Sequence, residues 1–170
     1  MEFERVTLAD IDQLYIRMHE RWWASHGDVM TYVKNQSLAF AVPSKPPSQA
    51  TVALISTGGV HLQDQEPFDM VNRVGDSSVR FIPRDARLDD LLFTHDHYDH
   101  TGADRDPNCM FPLGHLRDFA AEGRIGAAAP SHAGLSGWIP RTEVLTKTTV
   151  PQIIERFKDE GVDVALLTGG

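Results

Sequence analysis

Seven consecutive residues, Thr94-His95-Asp96-His97-Tyr98-Asp99-His100, hold three imidazoles and two carboxylates directly after the apolar run Leu91-Leu92-Phe93. Side chains of these types exchange protons near neutral pH, pair with a neighbouring anion as imidazolium, or ligate a divalent cation. Burying so many polar groups without a task is costly. The stretch therefore predicts a polar site at the end of a strand. His95, His97, Asp99 and His100 are the expected catalytic residues, and the same four are the donors that zinc or iron would use. If the backbone stays extended, His95, His97 and Asp99 share one face by the period of two, with Asp99 placed to orient an imidazole.

The elements that must position this stretch are predicted by apolar patterning and punctuation. Thr51–Ser56 is apolar without alternation, which predicts a strand buried on both faces, as in a parallel sheet. Thr57-Gly58-Gly59 comes next, a turn that permits close backbone approach, with a phosphate cradle as the rival use. Residues 61–76 read as polar and irregular, 78–83 as a short strand, and 89–94 as the strand delivering the histidines. Residues 104–112 read as a loop, and Leu113–Ala121 as a helix ended by Gly123. Residues 124–129 read as another strand, and the glycine-rich stretch 131–138 as a functional loop. A helix over 150–160 has Thr149 as its cap, Gln152 completing a capping box, Pro151 in its first turn, and Ile153, Ile154 and Phe157 as its buried face. Residues 162–170 repeat the earlier pattern, an apolar strand closing on Thr-Gly-Gly. Near the N-terminus, residues 8–23 predict a helix whose apolar stripe is Ile11, Leu14, Tyr15, Met18 and Trp22. The proline-rich residues 41–49 read as an extended connector.

Strands alternating with helices predict one α/β domain over residues 1–170: an open, mostly parallel sheet with flanking helices, three-layered in the Rossmann or flavodoxin manner. Residues 1–50 form its leading helix and linker. In such sheets the active site lies beyond the carboxyl ends of the strands. Both Thr-Gly-Gly turns and the histidine stretch then share one edge. Gly58, Gly59, His61 and His132 are the expected substrate contacts there, with His61 and His132 carried on loops. His19 and His26 read as surface residues.

A net charge of −8 with no basic stripe excludes a general nucleic-acid binder. No apolar run approaches the roughly 20 residues needed to span a bilayer. The acidic start Met1-Glu2-Phe3-Glu4 lacks an apolar signal core, and Cys109 is the single cysteine, so a cytoplasmic protein without an intrachain disulfide is expected.

His95-x-His97-x-Asp99-His100 resembles the metal-binding signature of metallo-β-lactamase-fold hydrolases. That resemblance implies a metal-activated hydroxide, with His115 or His132 as further ligands. A broader resemblance covers the chain from about residue 50 onward. Its blocks are the run from Val52 through Thr57-Gly58-Gly59-Val60-His61 to Asp69, then Gly75-Asp76-Ser77-Ser78-Val79-Arg80-Phe81-Ile82-Pro83, then the histidine stretch itself. Asp106-Pro107-Asn108-Cys109-Met110-Phe111-Pro112-Leu113, Glu122-Gly123-Arg124-Ile125-Gly126 and Gly161-Val162-Asp163-Val164-Ala165-Leu166-Leu167 complete it. In this order they resemble the selenoprotein B family of glycine, sarcosine, betaine and D-proline reductases.

The resemblance implies an oxidoreductase component that uses selenol or thiol chemistry on a small amine- or amino-acid-like substrate, in a complex with partner subunits. It also implies a selenocysteine- or cysteine-containing pair after the strand matching 162–167. Selenocysteine is thus expected after Gly170, with the chain truncated at that codon, and Cys109 is a doubtful substitute, read as a small loop or core residue. Two rival readings are a metal-dependent hydrolase and a non-catalytic module that binds another subunit.

Overall fold

The computed structural model describes Glu20, 41–96 and 98–169. The expected N-terminal helix over 8–23, apart from Glu20, lies outside the described residues, as do His97 and Gly170.

Strand β1 (Thr51–Ser56) is the centre of the sheet. It pairs in parallel with β7 (Val164–Thr168) from Val52–Val164 to Ser56–Thr168. On its other side it pairs in parallel first with β5 (Ala127–Ala128), then with β6 (Ser131–Gly134). β3 (Arg80–Pro83) adds to β6 antiparallel at the margin. The sheet is open and mostly parallel, as the alternating pattern predicts. A separate two-stranded ribbon joins β2 (Val60–Leu62) to β4 (Leu91–Phe93).

The lack of alternation along β1 is explained by two cores, one on each face. Val52 and Leu54 face Phe111, Leu113, Leu116 and the ribbon residues Val60, Leu91 and Phe93. Ala53 faces Ala133, Ile153 and Phe157. The first core is closed by helix α2 (Leu113–Ala121), which comes after the short α1 (Thr101–Arg105). The second is closed by α4 (Val150–Asp159). Completely burying a side chain such as Leu54 or Phe111 contributes about 1.5–3 kcal/mol. The result is three layers.

Several local expectations change. Thr149 does not cap α4, because a π turn over Leu145–Thr149 carries the helix back to α3 (Thr142–Val144). Thr149 is buried instead, and its hydroxyl donates to the Ser77 carbonyl at 2.6 Å. Ile154 is exposed, while Ile153 and Phe157 are buried. The connector holds a 3-10 turn at Pro47–Gln49 and is tied to the start of β7 by Lys45 and Asp163 at 2.9 Å. On β7, whose only partner among the described residues is β1, the apolar residues Leu166 and Leu167 are exposed. Among the described residues no helix is long and apolar enough to cross a membrane.

The two histidines expected on loops sit inside strands, His61 in β2 and His132 in β6. Between the paired positions Val52–Ala128 and Ile55–Ala133, β1 has two residues and its partner has four. The extra pair includes Pro130, whose carbonyl accepts from Arg84 N. Leu54 N is left facing this bulge without a ladder carbonyl. His132 Nδ1 accepts from it at 3.0 Å. The ring is completely buried, edge-on to Phe111 with centroids 6.0 Å apart. Because Nδ1 accepts, Nε2 carries the proton, and Nε2 has no hydrogen-bond partner.

Burial pushes the His132 pKa from 6.5 down to about 4; Arg117 and Arg84 act in the same direction, and Glu160 opposes them. The unfolded chain takes up this proton at a higher pH than the folded one. The stabilisation from the neutral ring is therefore complete above pH 6.5 and is lost as pH falls toward 4. The difference amounts to about 3 kcal/mol at most. Chemical denaturation at several pH values is expected to show this loss. His132→Asn, which keeps an acceptor for Leu54 N, should flatten it; equal pH slopes in both proteins would contradict the assignment. Gly59 has φ +75°, and a methyl group on it would stand 2.2 Å from the Thr94 carbonyl oxygen. Gly59→Ala is expected to cost about 1–3 kcal/mol in thermal unfolding by prising β2 from β4.

Candidate functional site

The site forms where β1 and β7 end side by side. Thr57 N donates to the Thr168 carbonyl at 3.1 Å, prolonging the ladder by one step. The Thr168 hydroxyl donates to the Met110 carbonyl at 2.8 Å, and the buried Ser56 hydroxyl donates to the same oxygen at 3.4 Å. One acceptor in the segment before α2 thus ties both strand ends. A methyl group on Gly169 would lie 4.0 Å from Thr57 Oγ1, so the chain leaves β7 beside Thr57.

All three amides of the Thr57-Gly58-Gly59 turn are engaged within the protein. Thr57 N bonds Thr168, Gly58 N donates to Ser56 Oγ at 3.2 Å, and Gly59 N donates to the Leu135 carbonyl at 2.9 Å. The turn therefore does not have the free N–H cluster that a phosphate cradle requires. Gly58 and Gly59 instead provide close approach.

The ribbon explains how the histidine stretch reaches this edge. β2 leaves directly after the turn, and β4 returns antiparallel to it, so Thr94 arrives where β2 began. Thr94 N donates to the Gly59 carbonyl at 2.9 Å. The buried His61 is engaged at both ring nitrogens, Nδ1 with the Leu62 carbonyl and Nε2 with Thr94 Oγ1, each at 2.8 Å. The Nδ1–H tautomer satisfies both bonds, since Nδ1 donates to the carbonyl and Nε2 accepts from the hydroxyl. His61 therefore holds the entrance of the histidine loop.

Strand geometry stops at Phe93, so His95 and Asp99 are not carried on one extended strand face. His95 lies over Gly137: a methyl group there would stand 2.3 Å from His95 Nε2 and 2.8 Å from the Thr57 carbonyl oxygen. Thr57 thus lies near both the His95 ring and the end of β7. Asp99 is exposed and accepts from Thr101 N at 3.0 Å and Thr101 Oγ1 at 2.6 Å, at the start of α1. The Thr101 hydroxyl, then its amide, hold the Asp99 carboxyl below the usual range. The carboxylate found on an imidazole is Asp104, which meets His100 Nδ1 at 2.9 Å. Asp104 was missed in the sequence, although a spacing of four on a helix signals such a pair.

The remaining candidates are dispersed. His132 is sealed inside β6, and His115 is exposed on α2. Cys109 is exposed at the end of the 3-10 turn Pro107–Cys109, in a loop and not in the core. Among the described residues no three His, Cys, Asp or Glu side chains gather as metal donors. Of the four expected donors, Asp99 Oδ1 is engaged by Thr101 and His100 Nδ1 by Asp104, and His97 lies outside the described residues. Tyr98 and Met110 were also missed, although Tyr98 lies inside the histidine stretch; Gly137 and Thr168 fall within the glycine-rich loop 131–138 and the second Thr-Gly-Gly turn, both expected to be functional.

The arrangement brings one imidazole to a glycine-lined rim at the carboxyl end of the sheet, next to the exit of β7. Such a group can exchange a proton with a molecule bound across that exit. Residues 28–170 match the family glycine/sarcosine/betaine reductase selenoprotein B (GRDB). The chain is 37% identical over 151 residues to the D-proline reductase subunit gamma of Acetoanaerobium sticklandii, covering 83% of this chain and 61% of that one. It is 30% identical over 142 residues to the betaine reductase complex component B subunit beta of Peptoclostridium acidaminophilum, covering 79% of this chain and 31% of that one. The match spans about three fifths of the first relative's length and under a third of the second's. No solved structure matches the chain. With a family match over most of the sequence, and the histidine stretch inside it, the chain belongs to the glycine/sarcosine/betaine reductase selenoprotein B family.

Proposed function

We propose that the chain serves a reductase of the glycine, betaine or D-proline type, acting on a small amine- or amino-acid-like molecule together with partner subunits. The relatives are named as a reductase subunit and as a component of a reductase complex. The observation that carries the reading is that β7 ends beside Thr57, the residue that also lies near the His95 ring. A selenocysteine or cysteine pair after β7 would supply the chemistry: one chalcogenolate would bond to the substrate carbon as the amine leaves, and the second would attack that chalcogen, releasing the fragment with a proton and leaving an oxidised pair for a dithiol donor to reduce.

The chain's own residues supply the surroundings. His95 holds the chalcogenolate as an ion pair and passes a proton to the departing amine. His100, paired with Asp104, stands on the same loop; His97 and Asp99 remain candidates there. Gly58 and Gly59 let the substrate approach the backbone, and His61 keeps the loop entrance in place. A cytoplasmic setting, with its reducing thiol pool, suits such groups.

In the assembled reductase made from the whole reading frame, His95→Ala is expected to lower kcat by about 10²–10⁴-fold with little change in KM. Elemental analysis of the same protein should return selenium, or thiol counting should return a reactive pair, and alkylation of that group should abolish turnover. Wild-type turnover in the His95 variant would overturn the reading, as would a protein with neither selenium nor paired thiols. Loss of turnover to a chelator, with alkylation harmless, would favour a metal-dependent hydrolase instead.

A further inference from the structure

Tyr98 lies in the middle of the histidine stretch and reaches back across the rim. Its hydroxyl donates to the Gly58 carbonyl at 2.7 Å. Its ring stands against the His95 imidazole with centroids 4.5 Å apart and planes tilted by 55°. The other described imidazole of the loop, His100, meets the same ring edge-on at 6.0 Å and 74°. One phenol therefore touches the turn after β1 and both described imidazoles of the stretch.

The surroundings are shaped for this contact. A methyl group on Gly58 would stand 3.2 Å from the Tyr98 hydroxyl oxygen and 2.6 Å from Met110 Cγ, so the bare backbone there admits the phenol. Burial, with Asp104 and Cys109 adding to it, holds the Tyr98 hydroxyl above its usual range, and it stays a protonated donor throughout the neutral pH range. The loop is anchored at its entrance by His61 on Thr94 and at its exit by Asp99 on Thr101. Between these anchors, Tyr98 ties the span that carries His95 to Gly58, the residue next to Thr57.

We propose that Tyr98 is a positioning residue that fixes where the His95 imidazole stands relative to the end of β7, an inference that rests on reading His95 as the proton-handling group. Proton transfer requires hydrogen-bond reach, and a small displacement of the donor is enough to lose rate. The tilted phenol ring sets that distance, and its hydroxyl locks the ring in register with Gly58.

Two variants of the whole protein test this, Tyr98→Phe and Tyr98→Ala, by NMR of the histidine ring protons and by kinetics of the assembled reductase. The Phe variant keeps the ring and removes the hydroxyl, so it decides the matter if the Ala variant fails to fold. The expected result is that the His95 signals move or broaden in Tyr98→Phe while those of His61 stay in place. In the same variant kcat should fall about 10-fold with KM within about twofold. His95 signals that remain at their wild-type positions in Tyr98→Phe would overturn the proposal, even if His95→Ala still abolishes turnover. If instead the His95 signals move but turnover is insensitive to His95→Ala, the positioning holds and the reading of His95 as the proton-handling group fails.

Discussion

Between Val52 and Ile55, the hydrogen bond that carries β1 past its neighbour comes from a side chain. The β5–β6 partner runs two residues long across this interval, and the amide of Leu54 faces the surplus. A buried amide without an acceptor costs about 1–3 kcal/mol. His132 Nδ1 fills the gap from inside β6, and β1 regains its neighbour at Ile55. The whole rim hangs from the end of this strand: Ser56, the Thr57-Gly58-Gly59 turn, and the ribbon that returns the histidine stretch. The ring's own Nε2–H stays unpartnered as the cost of this repair.

From that strand the site is built by close approach more than by side-chain donors. The turn amides are turned inward, toward Thr168, Ser56 and Leu135. Gly59 admits the Thr94 carbonyl, and Gly137 admits the His95 ring. With those contacts made, polar chemistry at the rim falls to the imidazoles of the loop. On the function proposed above, this rim would stabilise an anion and move a proton, and neither task needs a phosphate-type nest.

Much of this was legible in the sequence, and the failures have physical causes. Leu113–Ala121 was read with its observed limits, because an apolar stripe and a trailing glycine mark a helix whatever it packs on. The unalternated run at Thr51–Ser56 announced a strand buried on both faces, and the two cores are its explanation. His61 and His132 were misplaced into loops because short strands carrying a buried polar residue look irregular. Their partners, Thr94 and Leu54, are distant in sequence. The extended face of the histidine stretch failed because periodicity does not reveal where a strand ends. Thr149 had every mark of a cap, yet a helix continuing upstream left it nothing to cap. At the site itself, the His95–Gly137 and Tyr98–Gly58 contacts join segments about 40 residues apart, which spacing rules do not reach.

The shared acceptor at Met110 has a mechanical meaning. Hydroxyls from Ser56 and Thr168 meet on one carbonyl oxygen, so two strands of different origin in the chain end on a common post. Sideways load on the tail of β7 is carried through that post into the root of the glycine turn, and from there into the phenol resting on Gly58.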